Sequence, residues 1–320
     1  MKRILFKYLV IVCISLLFIS SIAGTLAAAE KKVLIGLSFS SLEEDFWQTL
    51  KNVTIENVEK YGGETTVVSA DNDVARQMSQ MEDLIVQGVD AIIVVAVDAD
   101  AIVPVVNFAD EKGIPVIAIN RPISPAAKVT CYVGTDNILA GKIAAKYIAE
   151  KLNGKGKVAI LNGPPEALVA RQRNEGYVTG LKEYPGIEIV AQRWGLGQRG
   201  SNMNNMEDIL TAFPDVAAVF GFSDNTSLGA SDAITSRGLR GKILIGSIDG
   251  EEEATRLMVA EKDFPIKISI AQDPWMMAKY SALIAYEAAI GNKVPVSINT
   301  WIKAITPDNA EEYLKTGIFD

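Results

Sequence analysis

No histidine occurs among the 320 residues, which removes the commonest general base, the commonest metal ligand and every Ser-His or Cys-His arrangement. The chain carries 31 Lys plus Arg against 39 Asp plus Glu, a formal net charge of −8, and an acidic balance of that kind is a poor match for nucleic acid. Its length exceeds what a single hydrophobic core usually serves, so two domains are expected.

Residues 1–29 read as a leader rather than as part of the fold. Lys2, Arg3 and Lys7 make a basic start, residues 9–18 an apolar core, and Ala27, Ala28 and Ala29 a small-residue cleavage site, the three parts of a secretory signal peptide. Cleavage near Ala29 would leave Glu30 at the mature N-terminus. No cysteine follows the small residues, so an unanchored periplasmic product is expected. Removing three cations and no acids leaves 28 cations against 39 acids, a net charge of −11. Only Cys131 survives, so no intrachain disulfide can form.

Strand and helix patterns then alternate regularly. A strand over 33–37 leads through a polar turn to Asp45, taken as the N-cap of a helix that runs to about Lys60 with Phe46, Leu50, Val53 and Val58 on its apolar stripe. Gly62 and Gly63 end it. A strand over 65–69, a helix from Asp73 to Gly88, a strand over 91–97, a helix over 101–112 and a strand over 115–119 follow. A second series begins with a strand over 130–133 and a helix over 139–152. Its further strands fall at 157–161, 187–191, 216–220, 243–247 and 267–270, with helices near 167–182, 202–212, 227–237 and 251–259. A helix over 275–290, a short strand around Trp301 and a polar helical tail close the chain. Such alternation with right-handed crossovers predicts α/β architecture, parallel sheets covered on both faces.

In sheets of this kind ligands bind outside the carboxyl ends of the strands. The residues found there are Ser38 with Phe46 and Trp47, Asn120 with Arg121, Arg171 with Arg173, Trp194, Ser223 with Asp224, Asp249 and Gln272. These types suit a polyhydroxylated ligand. Each hydroxyl donates and accepts, so Asp, Asn and Gln beside Arg can satisfy it, while an aromatic face covers the C–H surface of a ring. One of Phe46 and Trp47 is expected in the core. The acidic runs at 43–45 and 251–253 lie at helix starts, where negative charge complements the helix dipole, and are read mainly as structural. Neither a Walker loop nor a Gly-x-Gly-x-x-Gly turn follows the first strand, so phosphate and dinucleotide binding lack their usual cradle.

Taken as an ordered series, Ile35-Gly36-Leu37-Ser38 with Asp45-Phe46-Trp47, Ile117 to Arg121, Val133 to Asn137, Ala170-Arg171-Gln172-Arg173, Ser227 to Ala230, Ile245 to Gly250 and Ile270 to Asp273 resemble the ribose- and galactose-type periplasmic sugar-binding proteins of bacterial ABC transporters, which share a fold with LacI-type repressor cores. The resemblance covers essentially the whole mature chain. It implies the type I periplasmic binding fold: two doubly wound parallel-sheet lobes joined by a three-segment hinge, crossing near Thr135-Asp136, Gln272-Asp273 and Asn299-Thr300. The lobes would then be 30–135 plus 273–299, and 136–272 plus 300–320.

The resemblance further implies ligand contacts at Phe46, Arg121, Arg171, Asp249 and Gln272, with Trp194 stacking from the second lobe. Ser38, Glu44, Trp47, Asn120 and Ser223 complete the expected set. Three departures change the hydrogen bonds around a ring: Asn120 stands where the ribose type has Asp, Glu44-Asp45 where an Asn-Pro turn is usual, and Ser223 where Asn is usual. Pentose, hexose and cyclitol all stay open. What is expected is a monomeric binding protein, without cofactor, metal or catalysis, that delivers a monosaccharide or polyol to an ABC transporter permease and closes its lobes on the ligand. A signalling role through a chemoreceptor or sensor kinase stays open beside it. A LacI-type regulator would need a helix-turn-helix where the leader stands, and an enzyme on this fold would lack both His and a nucleophile elbow.

Overall fold

The computed structural model describes residues 32–316, so the leader lies outside the described residues. The first sheet holds β1 (Leu34–Phe39), β2 (Glu64–Ser69), β3 (Ala91–Val94), β4 (Val116–Ile119), β5 (Cys131–Gly134) and β11 (Ser297–Asn299), in the order β11-β5-β4-β3-β1-β2, all parallel. The second holds β6 (Lys155–Leu161), β7 (Gly186–Arg193), β8 (Val216–Gly221), β9 (Leu244–Asp249), β10 (Ile266–Gln272) and β12 (Ile302–Ile305), in the order β12-β10-β9-β8-β6-β7. Its one antiparallel pair is β10 with β12.

Helices cover both faces. Around the first sheet stand α1 (Asp45–Lys60), α2 (Val74–Gln87), α3 (Val103–Glu111) and α9 (Pro274–Ala289); around the second stand α4 (Asn137–Lys151), α5 (Leu168–Leu181), α6 (Arg199–Ala212), α7 (Asp224–Ser236), α8 (Glu252–Ala260) and α10 (Ala310–Thr316). Every residue of β3 and of β4 is buried, as strands with helices on both faces must be. One apolar cluster joins α1 and α9 to the first sheet and another joins α2 and α3 to its opposite face. The second sheet is likewise flanked by two clusters. Full burial of each Leu, Ile or Phe stabilises by about 1.5–3 kcal/mol before chain entropy is counted.

Among the described residues the chain changes sheet three times, at Thr135-Asp136, at Asp273 and at Thr300-Trp301. Two of these crossings enter helices through aspartate N-caps: Asp136 accepts from the Leu139 N–H and Asp273 from the Met276 N–H, both at 2.9 Å. The crossings are also tied to one another. Thr300 N–H donates to the Gly134 carbonyl at 2.8 Å, and the Thr135 hydroxyl donates to Gln272 Oε1 at 2.9 Å.

Two expectations about local structure need correction. Trp301 is not in a strand; it is 72% exposed between β11 and β12, because the crossing consumes the residues that a single strand would have used. Asp45 is the first helical residue of α1, and Glu44 is its N-cap. Glu44 makes no capping hydrogen bond with its side chain, which leaves its carboxylate for another use.

Candidate functional site

A cavity opens where the carboxyl ends of the two sheets face each other. From the first lobe it is lined by Glu44, Phe46, Trp47, Asn120 and Arg121, and from the second by Arg173, Phe222, Ser223, Asn225, Asp249 and Glu251, with Gln272 at a crossing. Phe46 and Trp47 meet edge to face, centroids 5.0 Å apart. Trp47 is the one in the core, yet its ring also carries the Arg121 guanidinium at 5.1 Å. Arg121 Nη1 donates to the Ala96 carbonyl at 3.2 Å. Burial lowers the Arg121 pKa and the nearby Glu44 carboxylate raises it.

A continuous polar chain runs across the cavity floor. Asn120 Nδ2 donates to Gln272 Oε1 at 3.2 Å, Gln272 Nε2 donates to Asp249 Oδ1 at 2.6 Å, and Arg173 Nη2 pairs with Asp249 Oδ1 at 3.1 Å. Arg173 then donates through Nε to Asn137 Oδ1 at 3.1 Å and through Nη1 to the Phe222 carbonyl at 2.7 Å, its planar group 4.9 Å from the Phe222 ring. The guanidinium fork is thus fixed on three sides. Burial raises the Asp249 pKa, and the charge of Arg173 and the bond from Gln272 pull it back.

Two of these residues hold backbone conformations that side chains disfavour. Asn120 has φ of 60° and Asp249 φ of 131°, each worth about 1–3 kcal/mol of local strain. Both sit at strand ends where the turn aims the side chain at Gln272. A close helix contact also sets the site: a Cβ on Gly176 of α5 would lie 2.4 Å from the Ile138 carbonyl oxygen. Only glycine lets α5 approach α4 closely enough to put Arg173 beside Asn137.

Behind the cavity wall lies Asp224, fully buried. It accepts from the hydroxyls of Ser247 and Ser269 and from the Glu251 N–H. Burial, and then the charge of Asp249, push its carboxyl up to about 7 despite those bonds. Ser223 caps α7, accepting from the Thr226 N–H at 3.3 Å.

Three expected residues lie outside the cavity. Ser38 is wholly buried within β1, where its hydroxyl accepts from Gln77 Nε2 at 3.3 Å. Trp194 follows β7, the edge strand farthest from β10, and stands 40% exposed; Leu196 and Gly197 of the same loop reach the cavity instead. Arg171 points to the rim, pairing with Asp100 of the first lobe at 3.0 Å and donating to the Pro165 carbonyl at 2.7 Å. Arg173, two residues on, lines the cavity. The signal was the helix period: Arg173 lies four residues after buried Val169 and four before buried Tyr177, on the inward stripe that Arg171 misses. Glu251, read as a helix-start charge, also lines the cavity, and Phe222 and Asn225 carried no signal beyond their place after β8.

The Arg171–Asp100 pair and the Ala99 N–H to Glu166 carbonyl bond at 3.4 Å join the two lobes at the rim. Exposed pairs are worth about 0–1 kcal/mol. Replacing Arg171 by alanine is therefore expected to weaken ligand capture less than about fivefold. A loss of a hundredfold by calorimetry would place Arg171 on the ligand instead.

Residues 35–293 match the family model described as periplasmic binding protein domain, and the chain belongs to that family. The ribose import binding protein RbsB of Bacillus subtilis (strain 168) is 34% identical over 277 residues, 87% of this chain and 88% of that protein. Among solved structures, an ABC transporter solute binding protein from Bacillus halodurans C-125 with bound myo-inositol is 30% identical with a TM-score of 0.83, over 89% of this chain and 98% of that one. An ABC transporter periplasmic solute binding protein from Actinobacillus succinogenes 130z with bound D-allose is 27% identical with a TM-score of 0.81, over 88% and 100%. Two parallel-dominated sheets of the type I periplasmic binding fold are thus common to this chain and to them.

Proposed function

We propose that this protein captures a monosaccharide or related polyol between its lobes and delivers it to an ABC transporter, without catalysis. The observation that carries the reading is the mixed donor and acceptor chain from Asn120 through Gln272 and Asp249 to Arg173, in a cavity also lined by Phe46, Trp47 and Phe222. Such a set satisfies ring hydroxyls and covers a ring face. The relatives named above are solute-binding proteins, which supports the same role. In this reading 30–135 plus 273–299 and 136–272 plus 300–320 are the bodies that close on the ligand, and the leader sends the chain to the periplasm as a monomer.

Neither lobe holds the whole set. Phe46, Trp47 and Arg121 come from the first, Arg173, Phe222 and Asp249 from the second, so a ligand that touches both favours the closed form by its differential affinity. A thermal-shift panel of pentoses, hexoses and cyclitols tests the reading, since ligand at about 100 times its dissociation constant adds ~2.7 kcal/mol to stability. Arg121→Ala and Asp249→Ala should each weaken the responding ligand by about tenfold to a hundredfold. Near wild-type affinity in both variants would put the ligand elsewhere.

A further inference from the structure

Two helix starts, one from each lobe, bring glutamates into the cavity without using them as caps. Glu44 precedes α1 and Glu251 precedes α8, and neither side chain makes a capping hydrogen bond. Their surroundings differ. Glu44 lies within reach of the Arg121 charge, and Asp249 is paired with Arg173 at 3.1 Å. Among the described residues, the Glu251 carboxyl group has no hydrogen-bond or ion-pair partner, although its N–H is held at 2.7 Å by Asp224. A carboxyl group fixed by its own backbone, facing the cavity and lacking a cation, is an unfilled ligand contact.

We propose that the cavity selects a sugar or cyclitol bearing an ammonium group on its ring, and that Glu251, opposed by Glu44 from the other lobe, is the residue that receives this cation. The inference rests on the sugar or polyol reading above and narrows its ligand class. Once Glu251 gives up its proton, a cation between the two carboxylates is attracted from both sides and offsets their mutual repulsion. A neutral sugar would leave Glu251 uncharged or uncompensated.

Protonation supports the same assignment. Burial first, then the charges of Asp249, Asp224, Glu44 and Glu253, push the Glu251 carboxyl up to about 9, so at neutral pH the empty cavity keeps a proton there. An ammonium ligand takes over the role of that proton. Binding then gives a Glu251 carboxylate against the ligand's cation and releases one proton to the buffer, whereas a neutral sugar releases none.

Calorimetry on the purified protein at neutral pH, in two buffers of different ionisation enthalpy, can read both affinity and proton release. Matched pairs serve as probes: glucosamine with glucose, galactosamine with galactose, mannosamine with mannose, and aminodeoxy-inositols with myo-inositol. One amine is expected to bind at least about tenfold more tightly than its hydroxyl partner, with release of about one proton. Glu251→Gln should remove that preference and the proton release while keeping the melting transition cooperative; Glu253→Gln, whose residue pairs with Arg199 at 2.8 Å, should keep both. If a neutral sugar or cyclitol binds and no amine surpasses its partner, the ammonium assignment is wrong and the sugar reading stands. An amine preference that survives in Glu251→Gln also overturns it. Silence from every probe, amine and neutral, overturns the ammonium assignment, and silence from the pentoses of the thermal-shift panel as well overturns the sugar reading with it.

Discussion

Arg173→Ala is expected to abolish ligand capture and to lower the unfolding free energy by about 3–5 kcal/mol, the usual result of removing one partner from a buried ion pair. The side chain is buried and serves three acceptors: Asp249, Asn137 and the Phe222 carbonyl. Deleting it leaves all three short of a donor and Asp249 without its cation. Asp249 already has a raised pKa from burial, so in the variant it should retain a proton to still higher pH. The deficit should therefore be smaller at pH 5 than at pH 8. Arg173→Lys keeps the charge but not the planar fork and should recover only part of the loss. Urea unfolding of the three proteins at both pH values measures this; an alanine variant within about 1 kcal/mol of wild type would mean that the pair carries little of the lobe's stability.

The ligand-free protein should become less stable as pH rises from 5 to 9. Folded-state carboxyl pKa values lie above their ordinary values at Asp224, up to about 7, and at Glu251, up to about 9. In that range the native state binds protons that the unfolded chain has released, so stability falls by about 1.4 kcal/mol per pH unit for each such proton. Below the ordinary carboxylate range both states are protonated and the effect vanishes. Asp224 contributes from about pH 4 to pH 7, Glu251 from about pH 4.5 to pH 9. Facing Glu251 are the acids Asp249, Asp224, Glu44 and Glu253; Arg121 and Arg173 line the same cavity without pairing with it. Glu251→Gln should therefore flatten the segment between pH 7 and pH 9 and leave the part due to Asp224. Parallel losses in wild type and variant across pH 7 to 9, followed by urea midpoints, would assign the upper segment to another group.

The alternating fold is legible in the sequence because its local signals agree: apolar runs for doubly covered strands, and Gly88 and Gly113, both at positive φ, where helices stop. The cavity lining is legible where a residue follows directly from a strand end, as Asn120, Arg121, Asp249 and Gln272 do. It fails where orientation decides. Arg171 and Arg173 are two residues apart and so about 160° apart around a helix, and only knowledge of the inward face separates them. Trp194 suits a ring by its chemistry, but it stands exposed while Leu196 and Gly197 of the same loop line the cavity, a matter of orientation that no local pattern contains. Glu251 reads from the sequence as a helix-dipole charge because acids at helix starts usually serve it; its place at the cavity goes with a backbone N–H held by Asp224, 27 positions away.

The three crossings also fix an order of completion during synthesis. Strands β1 to β5 emerge first, but the face shared with α1 then lacks Met277, Ala278, Ala282 and Ala285 of α9, and the β5 edge lacks β11. An open apolar face and an unpaired strand edge are both incentives to misassociate. The second sheet waits as well, since β12 closes against β10 only after the chain has passed through the first lobe again. The usual sequence, in which an N-terminal domain folds while the rest is being made, is therefore not open to this chain. The first lobe cannot finish before β11 is free, nor the second before β12, and the nascent polypeptide stays accessible to chaperones for almost the whole of translation.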